Sequence, residues 1–221
     1  MLLRWLLDVI YPPKCTLCRR ILAPNETDLC GDCRVQTESC HRKNIRLPFI
    51  EGWAAVWYYE DDVRRSLLRF KFHNARGYAA CYGRQLAMKL QEEFPDSFDV
   101  LTWVPTGTLR RLRRGYDQVE LLARATAREL ELPMVSCLKK IRNNPPQSGI
   151  KGDAHRRANV LGVYRARNLE RFAGKRVLLL DDIITTGSTA GECARILLTA
   201  GAAEVYCGAV AFSRRDQKSS R

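Results

Sequence analysis

Residues 177–189 read Val-Leu-Leu-Leu-Asp-Asp-Ile-Ile-Thr-Thr-Gly-Ser-Thr, and this stretch decides how the rest of the chain is interpreted. Its four leading apolar residues predict the central strand of a parallel sheet, because such a strand is covered on both faces. Asp181 and Asp182 follow at the carboxyl end, where open α/β sheets bind their ligands. Since successive strand residues point to opposite faces, one carboxylate can face a ligand while the other supports it or acts through Mg²⁺.

The second half of the stretch predicts a phosphate-binding turn. Hydroxyl side chains and one glycine lead into a helix there: Thr185, Thr186, Gly187, Ser188 and Thr189. The hydroxyls can donate hydrogen bonds, the glycine lets the backbone approach an oxyanion, and the helix adds free N–H groups and the positive end of its dipole. Paired acids followed by such a turn suit ribose 5-phosphate, which carries both a diol and a phosphate.

A plainer interpretation of the same stretch exists. The acids could end a core strand and the hydroxyl-rich turn could only cap a helix. The unbroken order of strand, acids, turn and helix favours the ligand site.

From Trp53 onward the sequence alternates between strand-like and helix-like segments. This predicts an α/β fold with a mostly parallel sheet flanked by helices, which we assign to residues 51–213. Predicted strands cover 53–59, 99–104, 177–180 and 205–212, and predicted helices cover 63–70, 77–94, 118–130 and 188–199. Residues 141–157, with Asn-Asn-Pro-Pro-Gln-Ser-Gly, predict a loop.

Residues 1–50 form a small cysteine-rich module in this interpretation. Two Cys-x-x-Cys pairs, Cys15 with Cys18 and Cys30 with Cys33, predict one tetrahedral Cys₄ zinc site. A redox dithiol and unliganded thiols are the alternatives. A structural role is favoured, because four thiolates leave no open position for water. We expect the metal to supply folding energy that so small a segment cannot obtain from its own core.

The other cysteines are predicted to carry no metal. Cys40, beside His41, could be a spare ligand or the remnant of a third cysteine pair, but an unliganded thiol is the favoured interpretation. The rest fit buried apolar positions in periodic segments, namely Cys81, Cys137, Cys193 and Cys207. Nine cysteines, an odd number, and no signal-peptide cleavage site favour a reducing, cytoplasmic location.

The two ends of the chain carry weaker signals. The apolar residues 2–10 are too few to cross a membrane, which takes about 20 residues, and predict a short helix packed on the protein. A membrane-surface anchor is the alternative. Residues 214–221 predict a basic, disordered tail.

The charge of the chain indicates an anionic partner. Its 37 lysines and arginines outnumber 24 acidic residues, which gives a formal net charge of +13. Nucleic acid, an anionic membrane surface and a polyphosphate all fit this excess, and a solvated basic surface is the alternative. Basic grooves with aromatic platforms bind single strands, and four aromatic residues lie among the basic ones: Trp57, Tyr58, Phe72 and Tyr116. For each of them, packing in the core is the favoured interpretation.

A second basic segment follows the strand predicted at 99–104. It begins with Pro105, Thr106 and Gly107 and continues with Arg110, Arg111, Arg113 and Arg114. We expect it to emerge on the same edge of the sheet as Asp181. Clustered guanidinium groups make paired hydrogen bonds to phosphate oxygens, and an exposed basic turn is the alternative.

Residues 177–189 resemble the motif with which type I phosphoribosyltransferases bind phosphoribosyl pyrophosphate (PRPP). The resemblance implies that Asp181 and Asp182 contact the ribose diol and that Thr185, Thr186, Gly187, Ser188 and Thr189 hold the 5-phosphate. It also implies that the segment with Pro105, Thr106, Arg113 and Arg114 cradles the pyrophosphate, with Mg²⁺ bound at the acids. Purine-salvage members often have an aspartate where Thr185 stands, which argues against purine salvage.

The order of features along the chain resembles the ComF family. The matching parts are the Cys₄ ribbon, Phe70-Lys71-Phe72 with Arg76, residues 113–118 and 120–123, residues 147–157 with Asn159-Val160, and the 177–189 motif. Two positions depart from the family's pattern: Asp117 stands where asparagine is usual, and Thr106 where a hydrophobic residue is usual. The resemblance implies a role in DNA uptake (natural transformation) or DNA processing, with single-stranded DNA and proteins of the uptake machinery as partners. The alternative is an active phosphoribosyltransferase on an unidentified small-molecule acceptor.

Overall fold

A computed structural model describes residues 12–41, 45–142 and 162–214. The elements of the described residues are, in chain order, α1 (Gly31–Gln36), β1 (Gly52–Tyr58), α2 (Asp61–Phe72), α3 (Tyr78–Glu93), β2 (Val100–Trp103), α4 (Thr108–Arg114), α5 (Gln118–Glu129), β3 (Leu138–Lys140), β4 (Tyr164–Ala166), β5 (Arg176–Ile184), α6 (Ser188–Thr199) and β6 (Glu204–Phe212). A single 3₁₀ turn, Leu169–Arg171, precedes β5.

The main sheet has four strands in the order β1, β6, β5, β2, and all of its pairings are parallel. This confirms the α/β fold expected from the sequence. The apolar run 177–180 is fully buried in β5, between β6 and β2, as its composition predicted. A short antiparallel pair, β3 with β4, forms a separate two-stranded sheet that the sequence did not reveal.

The strand β5 is longer than predicted, and this matters for the site. Its pairing with β2 ends at Trp103 and Leu180, but β5 continues through Ile184 against β6. The next residue after β2 still donates to β5, from Val104 N to Leu180 O at 2.9 Å. Asp181 and Asp182 therefore lie within the strand, beyond the end of β2, where the sheet opens on one side.

Two layers of side chains cover the sheet. On one face Leu178 and Leu180 pack with α2, α3 and α5. On the other face Val177 and Leu179 pack with α6 and with the β3–β4 pair. Because odd and even residues of β5 belong to different cores, the two acids that follow are directed to different faces.

The cysteine-rich segment shares the first of these cores. Arg84 of α3 donates two hydrogen bonds to the Asp28 carboxylate, at 2.7 and 2.6 Å, and Ser66 of α2 donates to Thr16 O at 2.5 Å. Its apolar side chains are buried against α2 and α3, and the principal ones are Leu17, Leu22 and Leu29. Packing on the larger domain therefore stabilises this segment, in addition to the folding energy that was expected from the metal.

The segment that carries the clustered arginines is a helix, α4, which the sequence did not predict. Gly115 ends it in the left-handed conformation, with φ at +75°. The helix predicted at 2–10, most of the loop 141–157 and the tail beyond Arg214 lie outside the described residues. Among the residues that the structure describes, no helix combines the length and apolarity that a membrane span requires.

Candidate ribose-phosphate site and zinc-binding cluster

Asp182 is held by two side chains that reach it from different helices. Lys71, near the end of α2, places Nζ 3.0 Å from Asp182 Oδ1. Gln118, the first residue of α5, donates from Nε2 to Asp182 Oδ2 at 3.1 Å. Both oxygens of this buried carboxylate thus have a partner, so the burial of its charge is compensated.

Asp181 faces the opposite side of the sheet and is only partly buried. Its Oδ1 accepts a hydrogen bond from the backbone N–H of Asp182 at 2.8 Å. Burial and the neighbouring charge of Asp182 raise the pKa of Asp181 to about 8, although Lys71 acts in the opposite direction. The two acids are therefore unequal: the charge of Asp182 is balanced by Lys71, whereas ionisation of Asp181 is disfavoured and its protonated form predominates at neutral pH.

The hydroxyl-rich turn lies between β5 and α6. Gly187 adopts φ +74° before the first residue of α6, and a side chain there would also collide with Leu47, whose Cδ2 lies 2.4 Å from the position of a Cβ. The hydroxyls of Thr186 and Ser188 are 2.7 Å apart and form a hydrogen bond. Thr185 is exposed, and Thr189 lies in the first turn of α6. A turn with grouped hydroxyls at the start of a helix can hold a phosphate monoester.

The loop 104–107 leaves β2 beside Asp181, at the edge where the sequence placed it. Thr106 donates from its backbone N and from Oγ1 to the two oxygens of Asp117, at 2.8 and 3.0 Å. Thr106 and Asp117, the two residues that depart from the ComF pattern, are thus hydrogen-bonded to each other. Pro105 is partly buried in the same loop.

The arginines expected beside this loop lie in α4. Arg114 donates to Gln118 Oε1 at 2.7 Å, and its guanidinium carbon lies 4.9 Å from the centroid of the Phe72 ring. Arg113 belongs to the same helix. Arg114 is therefore joined through Gln118 to Asp182, which connects the basic segment to the acid pair.

The four predicted zinc ligands come together. The Sγ atoms of Cys15, Cys18, Cys30 and Cys33 all lie within 4.8 Å of one another, and those of Cys18 and Cys30 are 3.6 Å apart. A tetrahedron with Zn–S distances of about 2.3 Å has sulfur–sulfur edges of about 3.8 Å, so this cluster fits a structural zinc ion. Burial alone would raise the pKa of Cys15, but backbone hydrogen bonds at Cys30, Cys18 and Leu17 lower it to about 7.

The other cysteines take no part in this cluster. Cys40 is buried beside Tyr58, in the core on the other face of the sheet. The remaining thiols are buried as well, as expected for small apolar residues: Cys81, Cys137, Cys193 and Cys207.

The aromatic residues considered as stacking platforms differ in their exposure to solvent. Trp57, Tyr58 and Tyr116 are buried and belong to the packing of the protein, whereas Phe72 is 53% exposed. Only Phe72, of these four, offers a ring face to solvent beside the basic residues.

Several residues at the site were not predicted as site residues, although Lys71 and Gln118 lie in segments that match the ComF pattern. Lys71 follows a core phenylalanine at the end of an amphipathic helix, and Gln118 begins the period of another. Leu47 reads as an ordinary apolar residue in an irregular segment. Their contacts depend on which helices pack against β5, and neither spacing nor periodicity states this.

Two protein families match parts of the chain. The family described as "Phosphoribosyl transferase domain" matches residues 119–221, and the one described as "Double zinc ribbon domain" matches residues 6–44. The first match contains the acid pair and the hydroxyl-rich turn, and the second contains the four-cysteine cluster. The fold is therefore phosphoribosyltransferase-like, with an N-terminal four-cysteine zinc ribbon.

Three curated proteins are similar over most of their length. "Competence protein F" of Haemophilus influenzae is 26% identical, with 87% of this chain and 93% of that protein covered. "Competence protein ComFC" of Bacillus subtilis is 28% identical, with 86% and 73% covered. "DNA utilization protein YhgH" of Escherichia coli K12 is 26% identical, with 87% and 88% covered.

The cysteine cluster predicts a selective loss of metal. Cys18→Ser should lower the zinc content from about one ion per chain to a small fraction of that, because one of four ligands is removed. Cys40→Ala is the control and should keep its zinc, since Cys40 lies outside the cluster. Atomic emission on the purified full-length proteins measures the content. Equal zinc in both variants would contradict the assignment.

The raised pKa of Asp181 predicts a stability cost at neutral pH. A carboxyl whose pKa is raised on folding contributes stability below its unfolded value, about 3.9, and loses that contribution as pH rises through the folded value. Asp181→Asn keeps an oxygen acceptor and stays neutral, so its melting temperature should exceed that of the wild type by at least about 3 °C at pH 8. The difference should shrink toward pH 5, where the wild-type carboxyl is protonated.

Asp99→Asn serves as the control of opposite sign. Hydrogen bonds from Arg176 lower the pKa of Asp99, so its charged form is stabilised by folding. This substitution should lower the melting temperature at pH 8, with an effect that fades as pH falls below about 4. Scanning calorimetry in magnesium-free buffer measures both variants. A benefit of Asp181→Asn that is constant with pH would show that charge at this position is not the cause.

Proposed function

This chain belongs to the ComF/YhgH family, and we propose that it binds PRPP with Mg²⁺ at the edge of the sheet where β5 outruns β2. The observation that carries the proposal is the convergence of three elements there. The acid pair lies in the part of β5 that extends past β2, the hydroxyl-rich turn follows β5, and the loop 104–107 follows β2. PRPP offers a diol, a phosphate monoester and a diphosphate, one group for each element.

The diol and the phosphate have separate places in this arrangement. Asp181 and Asp182 would accept hydrogen bonds from the ribose hydroxyls. The turn from Thr185 to Thr189 would surround the 5-phosphate with hydroxyls and with backbone N–H groups of the first turn of α6. Gly187 keeps that turn close to the ligand, because its left-handed conformation and its contact with Leu47 exclude a side chain.

The acid pair also fits a magnesium ion. Carboxylate oxygens are hard ligands of the kind that Mg²⁺ prefers. Once Asp181 is ionised, two carboxylates opposed by the single ammonium of Lys71 would leave one negative charge for the cation. When bound with PRPP, the ion would neutralise charge on the diphosphate. Lys71 and Gln118 would hold Asp182 in place, while Asp181 would lose its proton when the cation and the ligand hydroxyls stabilise its charged form.

We also propose a role in DNA uptake or DNA processing, with single-stranded DNA as a partner. The names of the relatives, competence proteins and a DNA utilization protein, support the process. The net charge of +13 supports an anionic partner. A further support is a basic surface beside the candidate site, which we call the α2–α4 patch: Lys71, Phe72, Arg76, Arg111 and Arg114.

The α2–α4 patch has the composition that single strands prefer. Arg114 lies over the Phe72 ring, and Arg76 lies 4.8 Å from the centroid of the Tyr116 ring. Tyr116 itself is buried and donates to Phe70 O, which fixes the end of α2 against α4. Phe72 would stack one base while the cations contact the backbone.

An active phosphoribosyltransferase is the second candidate function. The observation in its favour is that groups for both ends of the donor, the ribose phosphate and the pyrophosphate, stand at one edge of the sheet. Thr185 stands exposed where purine-salvage enzymes often carry an aspartate, so another class of acceptor would be used. Release of pyrophosphate from PRPP in the presence of varied bases and amines would favour this candidate.

The PRPP site predicts a specific loss of affinity. Asp181→Ala/Asp182→Ala should weaken binding of PRPP with Mg²⁺ by at least about tenfold, because it removes the groups for the diol and the cation. Titration calorimetry on the full chain measures the affinity. Glu92→Ala/Glu93→Ala is the control, since it removes another adjacent acid pair, on α3, whose partner is Lys89. No binding by the wild type, or equal binding by both variants, would contradict the proposal.

The single-strand proposal predicts strong salt dependence. Affinity for fluorescent oligo(dT) should fall roughly tenfold or more between about 50 and 200 mM salt, because several phosphates are neutralised. Phe72→Leu should weaken binding about fivefold or more at fixed salt, since it keeps an apolar side chain and removes the ring. Phe49→Leu is the matched control, because Phe49 is 54% exposed and follows Pro48, which lies against Gly191 of α6 on the other face. Salt-insensitive binding, or equal losses in both variants, would argue against the α2–α4 patch.

A further inference from the structure

The carboxylate of Asp117 joins the loop 104–107 to the start of α5. Its Oδ1 accepts from the backbone N–H groups of Val119 and Glu120, at 3.0 and 3.3 Å, and so caps the helix. The same oxygen accepts from Thr106 Oγ1, and Oδ2 accepts from Thr106 N at 2.8 Å. Four donors therefore converge on one side chain that is only 7% exposed.

These hydrogen bonds require a side chain at position 117 in which both terminal atoms are acceptors. An ionised carboxylate has two oxygens that accept and none that donates, which matches four N–H and O–H donors. An asparagine in the same rotamer could still cap α5, but its NH₂ group would face the N–H of Thr106. The loop would then have to move at Thr106 while the helix stayed capped.

The next residue reaches in the other direction. Gln118 donates to Asp182 and accepts from Arg114, so it connects α4 with the acid pair. Asp117 and Gln118 are adjacent, yet one holds the loop and the other holds the acids. Because the two residues are consecutive, the position of the loop 104–107 is fixed relative to the acid pair.

We propose that Asp117 is a positioning residue for the diphosphate end of the ligand and that Gln118 positions the ribose end. This inference rests on the proposed PRPP function and adds to it a division of labour between two neighbours. Asp117 touches no ligand atom; it acts through Thr106, by fixing the loop that would contact the diphosphate. Gln118 acts through Asp182, by keeping its carboxylate directed at the sugar.

Two ligands that differ only in the diphosphate separate these roles. PRPP and ribose 5-phosphate share the sugar and the 5-phosphate, so the ratio of their affinities measures the contribution of the diphosphate. Asp117→Asn should weaken PRPP binding about tenfold or more and change ribose 5-phosphate binding less than about twofold. Gln118→Leu should weaken both ligands by similar factors and leave the ratio near the wild-type value.

Two more variants complete the design. Thr106→Val removes one of the two bonds from the loop to Asp117, so its PRPP loss should be smaller than that of Asp117→Asn and again spare ribose 5-phosphate. Asp99→Asn is a change of the same kind at the amino end of β2, away from the candidate site, and should leave both affinities unchanged. Titration calorimetry with full-length protein and Mg²⁺ measures all of them, with melting temperatures recorded in parallel.

The outcomes distinguish this inference from the function on which it rests. If the wild type binds neither ligand, the proposed function fails. If it binds both and Asp117→Asn weakens them equally, Asp117 serves only general stability and the positioning role is overturned. A ratio unchanged by Asp117→Asn with both affinities intact would overturn it too. A lowered ratio in Asp117→Asn and Thr106→Val, but not in Gln118→Leu, is the result expected here.

Discussion

The unequal length of two paired strands underlies the whole site. Val104 donates to Leu180 as the last contact between β2 and β5, and β5 then continues beside β6 only. Where β5 continues past the end of β2, residues 181–184 have no neighbouring strand on that side among the residues that the structure describes, and we call this gap the notch. Polar groups that line the notch remain open to a ligand. The acids stand in that notch because four buried apolar residues hold the preceding part of β5 in the core.

Two adjacent carboxylates in one strand repel each other, and the surrounding side chains compensate the charge of only one of them. Lys71 and Gln118 satisfy Asp182, whereas Asp181 has the N–H of its neighbour and the burden of a nearby like charge. We therefore expect a neutral residue at 181 to make the protein without ligand more stable. Binding sites often retain such strain, because the ligand relieves it.

The helices around the notch do more than cover the sheet. The end of α2 supplies Lys71 and Phe72, and the start of α5 supplies Asp117 and Gln118. Tyr116 and Arg114 join these two helix ends through ring contacts, so the acid pair and the basic surface beside it are parts of one network. Lys71 and Arg114 would therefore belong both to the surroundings of a ligand at the acid pair and to the surface that contacts single-stranded DNA on the α2–α4 patch.

Much of this could be predicted from the sequence where the signal is local. The apolar run before Asp181, the hydroxyl-rich turn and the cysteine spacing each imply a structure within a few residues, and the structure has each of them. The contacts of Lys71 and Asp117 could not be predicted, because they join residues far apart in the chain. The burial of Tyr116 agrees with the core position that was favoured for it, whereas the helix α4 that carries the clustered arginines was not predicted.

Crystallography of the full chain with PRPP and Mg²⁺ tests the central claim most directly. We expect the ribose hydroxyls within hydrogen-bonding distance of Asp181 and Asp182, and the 5-phosphate inside the turn from Thr185 to Thr189. Density for the sugar phosphate elsewhere on the protein, with the notch filled by protein side chains, would contradict the account.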